Sequence, residues 1–488
     1  MGGTVQGQPK NGSLKTGNYL IACLVRGEDR AVIENLTTRQ LIVVSLPMLH
    51  LLARVARGDS AVLERIPDEV MSGLRAGGFV LPTDACEAEL IRMHEMQSRF
   101  GAGEVMELWI ALTYDCNMAC AYCTQNWMRS NETMSTEVAD ALLSYLEGIM
   151  PSKRCIRVCW YGGEPLLAKD MILYITSKLT AIASARGTAL QHRIITNGTL
   201  LDDAVVAFLR ELNVYSVQIT LDTTQEFHDK YRRYQDDGPT WTDIYTKVKR
   251  HCTQIPIVLR ANLTAESARV VKDWIVTLQA DGVLEHVHLA PCMASCFEGY
   301  DYVDENTFPR NLEVANSAYE DLLLELMSDP SLSEESKARW MSVIIPTNYM
   351  PCQAALPGSF VIGPRGELYK CAVGLGDPQL EVGHIMNRGP LDPVREARYV
   401  GFDPTADPIC AECLVMPACG GGCLVSRVKG AAPSMTCVLS APRWYKTMRL
   451  RLEREHAISV RELDMVNIYA CPRRLGTTVL SPYKELPM

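Results

Sequence analysis

No stretch of this 488-residue chain approaches the roughly 18–20 consecutive apolar residues that cross a bilayer, so no membrane-spanning or membrane-bound role is expected. Met1 to Asn18 is polar and glycine-rich and lacks the apolar segment of a secretory signal. Basic residues are not in excess: 48 Lys and Arg face 57 Asp and Glu, a net charge of −9, which removes the general electrostatic reason to bind nucleic acid. Internal repeats and long low-complexity tracts are missing too, which argues against a solenoid or a disordered array. Cysteine, in contrast, is abundant at 18 residues. Without a secretory signal these thiols are expected in a reducing cytoplasm, where clustered cysteines mean metal or catalysis more often than disulfides. The length, with 47% of residues apolar, allows more than one domain with a real core.

Residues 1–17 are expected to be a disordered leader. Strand-rich segments follow at 19–25, 31–36 and 40–45, the first two separated by Gly27-Glu28-Asp29-Arg30. Helices are expected over 47–57, where Leu49, Leu52 and Val55 recur at helical spacing, and over 67–76, with Asp68 and Glu69 in the first turn and Gly77-Gly78 at the end. A short strand at 79–81 completes a winged-helix-like unit, residues 1–98. Residues 99–310 alternate strand and helix, with strands at 107–112, 157–161, 191–196, 215–220, 257–263 and 285–290. This is the α/β pattern of a parallel sheet, and six units predict a partial (β/α)6 barrel rather than a closed eight-stranded one. Chemistry in such sheets gathers at the carboxyl ends of strands. Residues 311–350 read as a helical bridge. Residues 351–445 are rich in Cys, Gly and Pro, with short strands at 359–362 and 367–370. The last unit, 446–488, holds the end of a basic helix that starts near Arg443, then an irregular tail.

The first strand of the barrel runs into Thr113-Tyr114-Asp115-Cys116-Asn117-Met118-Ala119-Cys120-Ala121-Tyr122-Cys123. Three thiolates on one short loop suit three corners of a [4Fe–4S] cube, and with no fourth ligand in the loop one iron stays open. The second strand ends in Trp160-Tyr161-Gly162-Gly163-Glu164-Pro165, where two glycines let backbone approach a ligand and a carboxylate suits an ammonium group. Taken alone, Gly-Gly-Glu would be only a turn. The next three strands carry Thr196-Asn197-Gly198, Thr220-Leu221-Asp222 with His228 to Arg232 after it, and Arg260-Ala261-Asn262. CxxxCxxC with an aromatic before the last cysteine, followed in order by these stretches, resembles the radical SAM family. The resemblance implies that S-adenosylmethionine (SAM) chelates the open iron of the Cys116, Cys120 and Cys123 cube. It implies that Gly162, Gly163 and Glu164 hold the SAM amino group, and that Thr196, Asn197, Thr220, Asp222, Arg232, Arg260 and Asn262 contact its ribose and carboxylate. Tyr122 would pack near the adenine; otherwise it is a core aromatic. One departure is that the family often has Gly after the aspartate, where this chain has Thr223.

A second cysteine set comprises Cys352, Cys371 after Gly366, then Cys410-x2-Cys413-x5-Cys419-x3-Cys423, and Cys437. This resembles the seven-cysteine SPASM pattern of the same family. The resemblance implies two auxiliary [4Fe–4S] clusters, making three in all. Cys410, Cys413, Cys419 and Cys437 would hold an outer cluster, and Cys352, Cys371 and Cys423 an inner one. The alternative is structural zinc, for which Cys-x2-Cys is a normal half-site. No fourth inner cysteine lies between Gln353 and Gly358. Either that cluster keeps an iron open to a substrate thiolate, or Cys292 or Cys296 completes it. Cys23, Cys86, Cys155, Cys159, Cys252 and Cys471 read as small apolar residues. Sulfatase-maturing members carry Asp directly after the second SPASM cysteine; here Ala372 follows Cys371.

The N-terminal unit resembles the precursor-recognition element of peptide maturases, which binds a leader peptide as an added strand. A DNA-binding winged helix fits less well, since residues 1–100 hold eleven basic and eleven acidic residues. Together these resemblances imply a radical SAM enzyme that generates a 5′-deoxyadenosyl radical. It would install an intramolecular crosslink, thioether or carbon–carbon, in a ribosomally made precursor peptide, with a reductant such as flavodoxin or ferredoxin. Two alternatives are a radical SAM enzyme acting on a protein side chain or small metabolite, and a non-catalytic metal-binding module. No general base is assignable.

Overall fold

A computed structural model describes residues 14–25, 28–101, 104–264, 266–293, isolated positions between 322 and 337, 352–387, 391–430, and three short strand segments after 462. Most of the expected leader and helical bridge, the terminal basic helix, Cys296, Cys437 and Cys471 lie outside the described residues. Among the described residues no helix is long and apolar enough to cross a membrane.

The central sheet is built on six parallel strands: β6 (Val105–Ala111), β7 (Cys155–Tyr161), β8 (Ala189–Thr196), β9 (Val214–Thr220), β10 (Ile257–Leu263) and β11 (Val287–Met293). They lie side by side in chain order. Helices return the chain between them, including α4 (Thr136–Ile149), α5 (Lys169–Arg186), α6 (Asp203–Glu211), α8 (Trp241–His251) and α9 (Val271–Ala280). Local chemistry sets these helices: Ser135 and Asp202 accept from the backbone N–H groups of Val138 and Val205, capping α4 and α6. Alternation along each strand divides the sheet into two faces. Leu108, Ile110, Ile156, Val158, Trp160, Ile194, Val217, Ile219, Leu259 and Leu289 belong to one large buried apolar cluster. The opposite face mixes polar and apolar side chains, among them Trp109, Tyr161, Arg193, Gln218 and Arg260, and lines the barrel interior.

Strand ends differ from expectation by one or two residues in several places, and by three at the end of the sixth strand. A 3-10 turn at Leu284–His286 delays the sixth strand, which then extends to Cys292 and Met293. The turn leading into α9 is also 3-10, over Ser267–Val270.

The sheet does not stop at β6. Strand β12 (Phe360–Ile362) from the Cys-rich region pairs with it in parallel, Val361 opposite Trp109. Strands β13 (Glu367–Tyr369) and β14 (Glu381–His384) follow antiparallel, making nine strands in all. Barrel and Cys-rich region therefore share one sheet.

The N-terminal unit has the expected strands β2 (Leu20–Val25), β3 (Arg30–Asn35) and β4 (Leu41–Ser45) and helices α1 (Leu46–Ala56) and α2 (Asp68–Ala76). Residues 14–16, expected to be disordered, form strand β1, which pairs with β5 (Val80–Pro82). Helix α3 (Glu87–Gly101) has no counterpart in the sequence reading. Its Arg99 donates to the carbonyls of Val400 (3.0 Å) and Phe402 (2.7 Å), and Arg92 pairs with Asp403 at 2.8 Å. The expected boundary at 98 thus falls inside a helix that docks this unit on the Cys-rich region. The tail is also not wholly irregular. Strand β15 (Leu463–Val466) pairs antiparallel with β2, and Arg474–Leu475 pairs with Thr478–Val479.

Candidate active site

Strand β6 delivers the Cys116–Cys123 loop to the carboxyl end of the sheet, and the 231–235 segment holds it there. Ala119 and Ala121 donate backbone N–H bonds to the carbonyls of Arg233 (2.7 Å) and Tyr231 (2.8 Å). The side chain of Gln235 bonds the Cys116 carbonyl. On the other side the glycines after β7 press against the segment leading into the loop. Gly163 N–H donates to the Thr113 carbonyl and Glu164 N–H to that of Asp115, both at 2.8 Å. A Cβ on Gly163 would lie 2.0 Å from the Asp115 carbonyl oxygen, and Gly162 has φ +135° with its missing Cβ 2.6 Å from that of Thr113. The two glycines therefore first permit backbone to meet backbone.

Glu164 is fully buried. Its carboxylate accepts from Leu166 N–H (3.0 Å), Thr196 Oγ1 (2.8 Å) and Asn197 N–H (2.8 Å), tying the end of β7 to the end of β8. Asn197 continues the chain of contacts, donating to Asn117 Oδ1 at 2.8 Å and lying 3.8 Å from Cys116 Sγ.

A second cluster gathers around Tyr122. Its hydroxyl donates to the Asp222 carboxylate and accepts from Arg232 Nη1 and Asn262 Nδ2, each at 3.2 Å. Asp222 also accepts from Asn262 N–H at 2.7 Å, and Arg260 Nε donates to Asn262 Oδ1 at 3.0 Å. Buried His228 fixes the backbone: Nδ1 accepts from Asp222 N–H at 3.1 Å, leaving Nε2 to donate to Thr240 Oγ1 at 3.0 Å. Thr223, where the family often has glycine, adopts φ +49°, a conformation that suits glycine and strains a β-branched residue.

These elements surround one cavity of about 580 Å³. Cys116, Cys120 and Cys123 border it, as do Tyr122, Gly162, Gly163, Thr196, Asn197, Thr220, Arg232, Arg260 and Asn262. Glu164 and Asp222 stand behind this wall. The sequence reading missed Trp109, Arg193 and Gln218, which line the same space. Strand alternation was the available signal, because it puts them on the inner face with Tyr161 and Thr220. Ala372 and Val373, directly after Cys371, border the cavity too, as does Cys292.

Thiol pKa values are raised in each cysteine set. Burial, then the Glu164 carboxylate and the thiols of Cys120 and Cys123, push Cys116 up to about 12. Burial pushes Cys371 to about 12 as well, with Cys352 and Cys423 adding to it. Cys410 is raised to about 12 by burial first, with Asp407 and Cys419 contributing. Thiols this hard to ionise need a cation to hold them as thiolates. None of the fourteen described cysteines whose side chains are placed is joined in a disulfide. Among the described residues no three Cys, His, Asp or Glu side chains converge closely enough to grip one ion. A cube gives each thiolate its own iron, so it asks for three thiols around a space rather than at a point. Cys116, Cys120 and Cys123 around the cavity fit that demand. The buried Nε of Arg232, without a hydrogen-bond partner, fits a SAM carboxylate. Around the outer set, Arg427 donates to Cys410 Sγ (3.0 Å) and Asp407 (2.9 Å), and Gly420, Gly421 and Gly422 all take positive φ.

Residues 110–267 match the model of the Radical SAM superfamily, and this part of the chain is a radical SAM domain. Two curated relatives resemble part of the chain. The serine-type anaerobic sulfatase-maturating enzyme of Bacteroides thetaiotaomicron is 33% identical over 26% of this chain and 32% of its own length. The enzyme of the same description from Klebsiella aerogenes is 28% identical over 39% and 48%. The chain thus matches only a third to a half of the length of these relatives. Among solved structures, AdoMet-bound anSMEcpe superposes with a TM-score of 0.54 at 17% identity, over 72% of this chain and 98% of the other. The same protein with AdoMet and Cp18Cys peptide gives 0.50 at 19%, over 72% and 97%. These likenesses establish the shared fold.

Proposed function

We propose that this protein is a radical SAM peptide maturase that installs an intramolecular crosslink in a ribosomally made precursor. The observation that carries this reading is the shared cavity: the three-cysteine loop, the glycines after β7 and the residues following Cys371 open on one space. When bound, a [4Fe–4S] cluster on Cys116, Cys120 and Cys123 supplies the electron that splits SAM into methionine and a 5′-deoxyadenosyl radical able to take hydrogen from carbon. The protein's own part is to place and enclose. In this reading the carbonyls of Gly162 and Gly163 receive the SAM ammonium and Arg232 its carboxylate. Tyr122, Asp222, Asn262 and Arg260 form a braced wall against the nucleoside. Thr196 and Asn197, locked by Glu164, keep that wall rigid, while Trp109 and Tyr161 exclude water from the chamber.

The peptide class is supported by the maturase relatives and by the peptide seen in anSMEcpe. Sulfatase maturation itself is disfavoured, because Ala372 borders the chamber where sulfatase maturases carry an acid. The two auxiliary clusters are assigned to Cys352, Cys371 and Cys423, and to Cys410, Cys413, Cys419 and Cys437. The inner trio lacks a fourth thiol in its own loop, which favours thioether chemistry with the substrate sulfur as the missing ligand. Cys292 is the competing ligand, being a thiol on the same cavity. The leader would add to β4, because β15 already covers β2. Co-expression with candidate short precursor peptides tests the proposal: each crosslink removes two hydrogens by mass spectrometry. An unchanged peptide mass in the presence of iron-loaded enzyme would contradict it.

A further inference from the structure

The inner face of the barrel holds a cation that the SAM contacts do not use. Trp109 on β6, Cys159 on β7 and Arg193 on β8 are register partners across three adjacent strands. This layer lies two residues below Tyr161, roughly 7 Å further into the barrel at about 3.3 Å per residue. The Arg193 guanidinium lies over the Trp109 indole, 4.7 Å from the ring centroid, and Tyr161 stands edge-on to the same indole at 5.3 Å. Stacking on a face fixes the plane of a guanidinium and leaves its donor edge free for a planar anion.

Arg193 forms no ion pair among the described residues. On the layer below, Glu107 is taken by Arg157 at 3.1 Å; in the layer of Arg193 itself the Cys159 thiol neighbours Arg193 and is drawn down by it, but burial outweighs this and keeps the thiol neutral. The Arg193 Nε and Trp109 Nε1 atoms are both buried without a hydrogen-bond partner. Among the described residues bordering the cavity, four are arginines and none is Asp or Glu. Of the four, Arg232 and Arg260 are committed to the Tyr122 cluster. Buried donors that lack acceptors are costly unless a ligand supplies them.

We propose that Arg193, steadied on Trp109, is a carboxylate-binding subsite of the chamber that takes the side chain of an acidic residue in the substrate peptide. That the carboxylate comes from a peptide rests on the function proposed above; the selectivity for a carboxylate does not. It would seat an Asp or Glu deeper in the barrel than SAM and fix which neighbouring carbon faces the radical.

The test is equilibrium dialysis on the full-length, cluster-reconstituted protein with SAM bound and no reductant. The probes are radiolabelled N-acetylglutamate N-methylamide and its glutamine counterpart, alike in shape and different in charge. The glutamate probe should bind at least ten-fold more tightly. Arg193→Gln should erase that preference, and Arg193→Lys should keep part of it, since the charge stays and the planar fork is lost. Equal affinity of the two probes for the unmodified protein would overturn the proposal without any variant. So would a preference that survives in Arg193→Gln, or one that appears without SAM and vanishes when SAM is added, because SAM's own carboxylate would then be the ligand of Arg193. Failure of the maturase reading is recognised separately, by absence of dithionite-driven 5′-deoxyadenosine formation in a reaction without either probe.

Discussion

At the scale of single residues, the active end of the barrel is decided by contacts too close for ordinary side chains. Gly163→Ala would put a methyl 2.0 Å from a backbone oxygen of the cysteine loop. The substituted protein should lose the iron bound by that loop, seen as a fall of about four irons per chain, with a lower melting temperature. Thr223→Gly should be tolerated. Relief of a left-handed β-branched residue, about 1–2 kcal/mol, and removal of a buried hydroxyl without a partner offset the lost packing, so thermal unfolding should not shift downward. His192, stacked on Trp160, is held down to about 4 by burial. The unfolded chain takes up the proton near 6.5, so the neutral form contributes stability above that pH, and the contribution is lost as pH falls toward 4. Relative to His192→Asn, the natural protein should lose on the order of 3 kcal/mol between pH 6.5 and 4. Melting curves across that range would check this, and parallel pH profiles would refute it. The cysteines and Gly162-Gly163 were legible in the sequence because their chemistry is tied to short spacing. Arg193 and Trp109 were not, since their meaning depends on three strands lying in register.

At the scale of elements, the six barrel strands were legible because parallel strands buried on one face read as β-branched runs with turn signals between them. Helix α3 was missed. It buries Glu87, Glu95 and Arg99, so its polar pattern concealed a buried contact face. Strand β15 was equally hidden, because a four-residue strand that pairs with a segment more than 400 positions away carries no local signal. Its pairing makes a prediction. Truncation before Leu463 should expose the β2 edge, and hydrogen exchange of the Ala22 and Leu24 amides should rise while that of β3 changes little. Equal protection in the truncated protein would show that β15 does not cover this edge. A deletion of 1–98 would sever α3 just before Arg99 and so disturb its docking as well as remove the N-terminal unit. Leader binding is better tested by a proline in β4 such as Val43→Pro, which should weaken leader affinity at least ten-fold and leave SAM cleavage unchanged.

At the scale of the whole molecule, one sheet carries both the barrel and the first strands of the Cys-rich region, so the Cys116–Cys123 loop and the strands leading to Cys371 are held by a common frame. That arrangement was only half visible beforehand: the two cysteine sets were plain, but the parallel pairing of Phe360–Ile362 with β6 was not. In the proposed reaction a cluster held by Cys352, Cys371 and Cys423 would accept the electron that leaves the substrate. Metal analysis should give about twelve irons per chain with equal sulfide, and no zinc. The most direct test of the account is the reaction of the anaerobically reconstituted, iron-loaded protein with SAM and dithionite. The account predicts methionine and 5′-deoxyadenosine in equal amounts, abolished by Cys120→Ala. An intact SAM pool in the iron-loaded protein, with the precursor peptide supplied, would contradict it.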